Sequence, residues 1–173
     1  PILFQVPKQS YAKDFNDPEI EFRRMVDAFH QAGIEVWLDV VFNHTAELDD
    51  FGPAEHFKLL GREDWYLLSK DGEFLNFSGC GNTFKCAGPV ARRMIRDSLV
   101  YWAQNLGVDG FRFDLASILE RDPNGNFHQG SELLWELKND PELVGIKMIA
   151  EPWDAVGGYR LGYPSKNANW AEW

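Results

Sequence analysis

Three short apolar runs, each following a segment with helical periodicity, limit most strongly what this chain can fold into. The first run, IEVWLDVVF (34–42), is rich in β-branched and aromatic residues and short enough to be a buried strand. The second covers 108–113, inside GVDGFRFDLASI, and the third is GIKMIAE (145–151). Ahead of the first, Asp17 and Pro18 offer an N-cap and first-turn pair, and Phe22, Met25, Val26 and Phe29 then recur on one helix face before Gly33. Pro89 opens a second helix, with Ile95, Leu99, Trp102 and Leu106 on one face and Gly107 as its stop. A third helix is expected around 131–138. Helix and strand thus alternate three times, which predicts an α/β fold of parallel strands covered by helices. Periodicity leaves two arrangements open: a (β/α) barrel and an open doubly wound sheet.

Between the first strand and the second helix the periodicity is lost over residues 43–89. This stretch is polar and glycine-bearing, and Asp71-Gly72 within it reads as a small hairpin turn. Excursions of this length inside a compact domain are functional loops or small subdomains.

Composition narrows the partners. The 173 residues carry a net charge of −10 with no basic cluster, which argues against nucleic acid or an anionic membrane as the ligand, since both are held by Lys and Arg. A neutral, polar substrate fits better. Aromatic residues make up 14% of the chain, seven of them Trp, which suits the flat faces of sugar rings as well as an ordinary core. Cys80 and Cys86 are too few and wrongly spaced for a zinc site or a disulfide framework, so free thiols in a reducing compartment are expected. No stretch has the length of a membrane span, and residues 1–4 do not read as a signal peptide. Without an initiator Met, the chain is expected to be a piece of a longer protein.

Each strand ends in polar residues that a packed core does not require. The first runs into Asn43 and His44 with Asp39 inside it, the second ends at Arg112 and Asp114, and the third at Glu151. In parallel α/β folds the C-terminal strand ends share one face, where active sites lie, so these side chains should converge. Two carboxylates there can divide glycoside hydrolysis, one attacking the anomeric carbon and one protonating the leaving oxygen. Arg112 and Asp114 stand two apart on a strand and point the same way, so the guanidinium can orient the carboxylate. Taken singly, each has a plainer reading: a structural ion pair for Arg112 with Asp114, a solvated Glu151, a hydrogen-bonded His44, a buried acceptor at Asp39. A metal site built on His44 lacks the usual ligand spacings.

The segments DVVFNHT (39–45), GFRFDLAS (110–117) and IAEPWD (149–154) resemble, in order, signature segments of the α-amylase superfamily of glycoside hydrolases. With NFSGCGNTF (76–84), the likeness is greatest to isoamylase-type debranching enzymes of glycogen and starch. The resemblance implies a partial (β/α)8 barrel, comprising its third to fifth strands with their helices and a long loop after the third. It implies retaining cleavage of α-1,6 branches in glycogen or amylopectin. Asp114 would be the nucleophile, Glu151 the general acid/base and Arg112 the nucleophile's partner. Asn43 and His44 would hold the sugar being transferred, with Asp39 supporting the strand end and Gly81, Asn82 and Trp153 walling the acceptor side. A third catalytic carboxylate, expected after a seventh strand, has no counterpart here, so the chain alone should be inactive.

No cofactor is implied beyond a structural calcium near Asn43 and the long loop. Glu47, Asp49 and Asp50, which could serve it, read equally as a solvated acidic run. The compartment would be bacterial cytoplasm or a plastid. Rival readings are an α-1,4-acting relative, a non-catalytic glucan-binding subunit and, last, a dehydrogenase, for which no G-x-G-x-x-G follows any strand.

Overall fold

The computed structural model describes residues 4–128 and 130–173, with the side chains of Ser165 and Asn167 left aside. Residues 1–3 of the opening segment lie outside the described residues. Helix α1 (Pro18–Gln31) leads into strand β1 (Trp37–Val40), α4 (Pro89–Val100) into β2 (Gly110–Phe113), and α5 (Glu132–Asn139) into β3 (Lys147–Ala150). Between β1 and α4 lie two single-turn helices, α2 (Phe57–Leu60) and α3 (Arg62–Trp65). After β3 come α6 (Tyr163–Ala168) and a two-residue strand, β4 (Ala171–Glu172).

Among the described residues the sheet has four strands, all parallel and in the order β1-β2-β3-β4. That order decides between the two arrangements left open by periodicity. A doubly wound sheet reverses its strand order at a switch point, whereas a barrel adds each strand beside the last. The chain forms an open segment of a (β/α) barrel. The register sets Asp39 beside Arg112 and Arg112 beside Ile149.

β2 lies between two strands; Phe111 and Phe113 share its buried apolar face, while Arg112 stands on the opposite one. α4 covers it with Ala91, Ile95 and Leu99, α5 adds Leu133, Leu134 and Leu137, and Trp170 stacks on Phe113 with ring centroids 4.3 Å apart. Ser131 caps α5 by accepting the Leu134 N–H.

Three expectations change. The first strand is shorter than 34–42 and, with one sheet neighbour among the described residues, is half-exposed; Trp37 is 38% accessible. The α1 stripe is buried only at Val26, while Met25 and Phe29 are exposed, because an edge strand offers nothing further for that face to cover. β4 was not anticipated, since two residues are too few to show alternation.

The 43–89 excursion packs its aromatic residues into the same core as the sheet. Phe57 and Phe84 meet at 5.1 Å, Phe57 and Trp65 at 4.7 Å, and Tyr66 and Phe74 at 4.9 Å. The Asp71-Gly72 turn is present, closed by the Ser69 N–H donating to Glu73 O at 2.8 Å. The excursion closes on itself near the sheet, where the Phe84 N–H donates to Asn43 O at 2.9 Å.

Phe113→Ala should destabilise the fold by about 3–5 kcal/mol, the usual cost of emptying an aromatic site in a core. Urea unfolding of the full-length protein should show a lower midpoint at unchanged slope; a midpoint within error of the parent would contradict this packing.

Candidate active site

Because side chains alternate along a strand, the residues two beyond Arg112 and two beyond Ile149 share the face of Arg112. They are Asp114 and Glu151. The Arg112 guanidinium joins them: Nη1 donates to Asp114 Oδ1 at 2.8 Å and to Asp39 Oδ1 at 2.9 Å, while Nη2 lies 2.9 Å from Glu151 Oε1. Its planar fork suits it to hold two carboxylates at once. Burial works against the charge on Arg112, but its hydrogen bonds to Asp39 and Asp114 and the attraction of Asp39 and Glu151 outweigh it and hold its pKa above the usual value.

The second oxygen of each carboxylate is also held. Asn43 Nδ2 donates to Asp114 Oδ2 at 2.9 Å and to the Asp114 carbonyl at 2.8 Å. The Leu115 N–H donates to Glu151 Oε2 at 2.8 Å. Leu115 reaches that position through a left-handed backbone, φ 45°, a conformation that costs a non-glycine residue on the order of 1–2 kcal/mol. The strain turns the chain sharply after Asp114 and aims the amide at Glu151. His44 is coupled through Asn43, its Nδ1 lying 2.5 Å from Asn43 Oδ1, and burial lowers its pKa, which favours the neutral ring. Trp153 lies 6.1 Å from Tyr159 with the rings nearly parallel at 6°, and 5.3 Å from Trp173 edge-on. The Trp173 ring also sits 5.4 Å from the Arg112 guanidinium, so an aromatic wall borders the carboxylates.

Asn82 and Gly81 stand further back. The Asn82 amide is fully buried, donating to Thr45 O at 3.1 Å and Leu48 O at 2.8 Å and accepting from the Thr45 N–H at 3.0 Å. At Gly81 an added Cβ would lie 2.8 Å from Asp49 N, so only glycine lets the two loop segments close. Both residues brace the loop behind His44. Glu47 departs from the expected solvated run: it is 3% accessible and receives the N–H groups of Glu55, His56 and Phe57. Among the described residues no cluster of three or more His, Cys, Asp or Glu side chains could hold a metal ion.

A buried ionic network behind Glu151 escaped the sequence reading. Asp154 Oδ2 pairs with Arg121 Nη2 at 2.5 Å and accepts from Ser117 Oγ at 3.2 Å, while its Oδ1 accepts the N–H groups of Val156 and Gly158. The Arg121 guanidinium is sandwiched between Phe77 and Phe127, 3.7 and 4.1 Å from the ring centroids. Glu120, fully buried, faces Arg160 at 3.3 Å. These pairs fix the turn that follows Glu151 and carries Trp153. The only trace in the sequence was a tandem Glu120-Arg121 after an apolar run, whose partners lie more than thirty residues away.

No protein-family model matches the chain. It is 44% identical over 178 residues to isoamylase 3, chloroplastic, of Oryza sativa subsp. japonica, covering 99% of this chain and 23% of that protein. It is also 44% identical to the glycogen debranching enzyme of Yersinia enterocolitica, over 95% of this chain and 25% of that protein. The chain belongs to the isoamylase-type branch of the α-amylase superfamily. It spans about a quarter of the length of these curated relatives. The pullulanase of Anoxybacillus sp. LM18-11, solved in complex with maltotetraose, superimposes on this isoamylase-type segment with a TM-score of 0.77 at 28% identity, over 99% of this chain and 25% of that one.

Burial raises the pKa of Glu120 to about 7 against the attraction of Arg160. A carboxyl whose folded-state pKa is raised contributes stability below its unfolded value, and that contribution is lost as pH rises through the folded value. Relative to Glu120→Gln, the parent should therefore lose thermal stability between pH 4.5 and about 7. Melting temperatures of both full-length proteins across that window test it, and a constant difference would contradict the burial of this carboxyl.

Proposed function

We propose that the longer protein containing this chain is a retaining glycoside hydrolase that cleaves the α-1,6 branch linkages of glycogen or starch. One observation carries the reading: a single guanidinium, Arg112, bonds both Asp114 and Glu151, so the two carboxylates share one pocket beside an aromatic wall. Short carboxylate separations serve retaining chemistry, and wide ones leave room for a water and serve inversion.

Asp114 attacks the anomeric carbon while Glu151 gives its proton to the branch oxygen; the C–O bond breaks and a glycosyl ester forms on Asp114. Glu151 then takes a proton from water as that water attacks the same carbon, which frees Asp114 and releases the branch with its original anomeric configuration. Arg112 holds one Asp114 oxygen and Asn43 the other, which fixes the direction of attack. Stacking on Trp153 and Tyr159 would seat the acceptor sugars.

The α-1,6 linkage is supported by the relatives' names, isoamylase and glycogen debranching enzyme. An α-glucan substrate is further supported by the maltotetraose in the Anoxybacillus pullulanase structure. The third carboxylate implied by the family has no counterpart among these residues, so we assign the activity to the longer protein. The free thiols of Cys80 and Cys86 support a reducing compartment, and a chloroplastic relative beside a bacterial one supports a plastid or bacterial cytoplasm.

Asp114→Asn in the full-length protein should lower kcat on amylopectin by roughly a thousandfold or more, the scale seen when a covalent nucleophile is lost. Glucan affinity, measured by calorimetry with a linear maltooligosaccharide, should stay within a few-fold. Turnover within tenfold of the parent would remove Asp114 as nucleophile.

A further inference from the structure

The family resemblance raises a structural calcium near Asn43 and the long loop, and the residues there do not fit one. We propose that Lys58 is the resident cation of the 43–89 loop, its ammonium filling a cage of backbone carbonyls that would otherwise take a metal ion. Lys58 Nζ donates to Glu47 O at 2.6 Å, to Gly52 O at 3.2 Å and to Asp49 O. An ammonium has three N–H groups, and each finds a carbonyl. Converging backbone oxygens are also what a hard cation such as calcium seeks.

The cage is built at a local cost. Leu48 takes a left-handed backbone, φ 54°, and a Cβ at Gly52 would lie 2.2 Å from Glu47 O, so only glycine closes this turn. The acidic side chains nearby are engaged elsewhere. The Glu47 carboxylate accepts backbone N–H groups from 55–58 and the Tyr66 hydroxyl at 2.5 Å. Asp49 Oδ1 accepts the Phe51 N–H at 3.0 Å, and Asp50 Oδ1 pairs with Arg62 at 2.5 Å. On another side the Phe74 ring lies 5.3 Å from Nζ, which suits an ammonium and offers a divalent ion no ligand. A metal would have to expel Lys58 and recruit carboxylates from these bonds.

The consequence reaches the candidate site. The turn held by Lys58 carries Glu47, which is tied through Tyr66 to Thr45, the hydroxyls of the last two lying 2.8 Å apart. Thr45 adjoins His44 and is gripped by Asn82. A covalently attached cation therefore anchors the loop that backs Asn43 and His44, and it cannot be removed by a chelator.

The test compares the full-length parent with Lys58→Ala by calcium titration calorimetry and by melting temperature in calcium chloride against choline chloride of equal ionic strength. Lys58→Ala should melt lower, bind one more calcium per chain than the parent, and recover part of its lost melting temperature in millimolar calcium while the parent does not move. If Lys58→Ala does not fold, Lys58→Gln keeps part of the stem and a polar end without the charge and is read in the same way. An unchanged melting temperature, or a loss that calcium restores no better than choline, overturns the proposal. So does a parent that gains as much from calcium as the variant.

Discussion

Three carboxylates from three neighbouring strands meet on the guanidinium of Arg112. Asp114 and Glu151 would repel one another in a half-buried pocket, with the more exposed Asp39 at its edge, and a cation placed among them offsets that repulsion. Arg112 supplies that cation from the central strand, with a fork that reaches Asp114 and Asp39 through one nitrogen and Glu151 through the other. A lysine in its place would be a point charge without the second arm. Everything else at the strand ends can be understood as holding this constellation still.

The support comes in two layers. Parallel register alone brings Asp39 and Ile149 beside Arg112, and the period of two then delivers Asp114 and Glu151 to the same face. Beyond the strands, the left-handed Leu115 directs its amide to Glu151, and the Arg121–Asp154 and Glu120–Arg160 pairs bury charge behind the turn that bears Trp153. On the other side of the pocket, Asn82 bonds the backbone of Thr45, next to His44 in the loop that follows β1. Strain and buried charge both collect around the carboxylates, as expected where a fold gives up local comfort for a fixed geometry.

The sequence was most legible where periodicity and punctuation agree. α4 opens at Pro89 as the pattern puts it, though it ends at Val100 and the remaining residues toward Gly107 widen into a π-helical turn over Tyr101–Asn105; α5 is capped by Ser131, and Arg112, Asp114 and Glu151 could be placed together from strand-end chemistry alone. It was least legible where partners are remote or elements are short. β4 has two residues and no period to display. Arg121 and Asp154 are polar residues in loops until the fold brings them together and buries them. Nothing in the sequence around Asn82, expected at the acceptor-side wall, shows that its amide bonds Thr45 and Leu48 within the loop. The buried Glu47 failed for the same reason: an acidic neighbour list cannot show that backbone amides from 55–58 converge on one of its members.

Product stereochemistry tests the central claim most directly. Proton NMR of the full-length protein acting on a branched glucan reads the configuration of each newly freed reducing end before mutarotation. With Asp114 and Glu151 gathered by one guanidinium, the α-anomer should appear first and the β-anomer only as the sugar equilibrates. A β-anomer at the earliest times would mean direct attack by water, and it would contradict the assignment of Asp114 as the nucleophile.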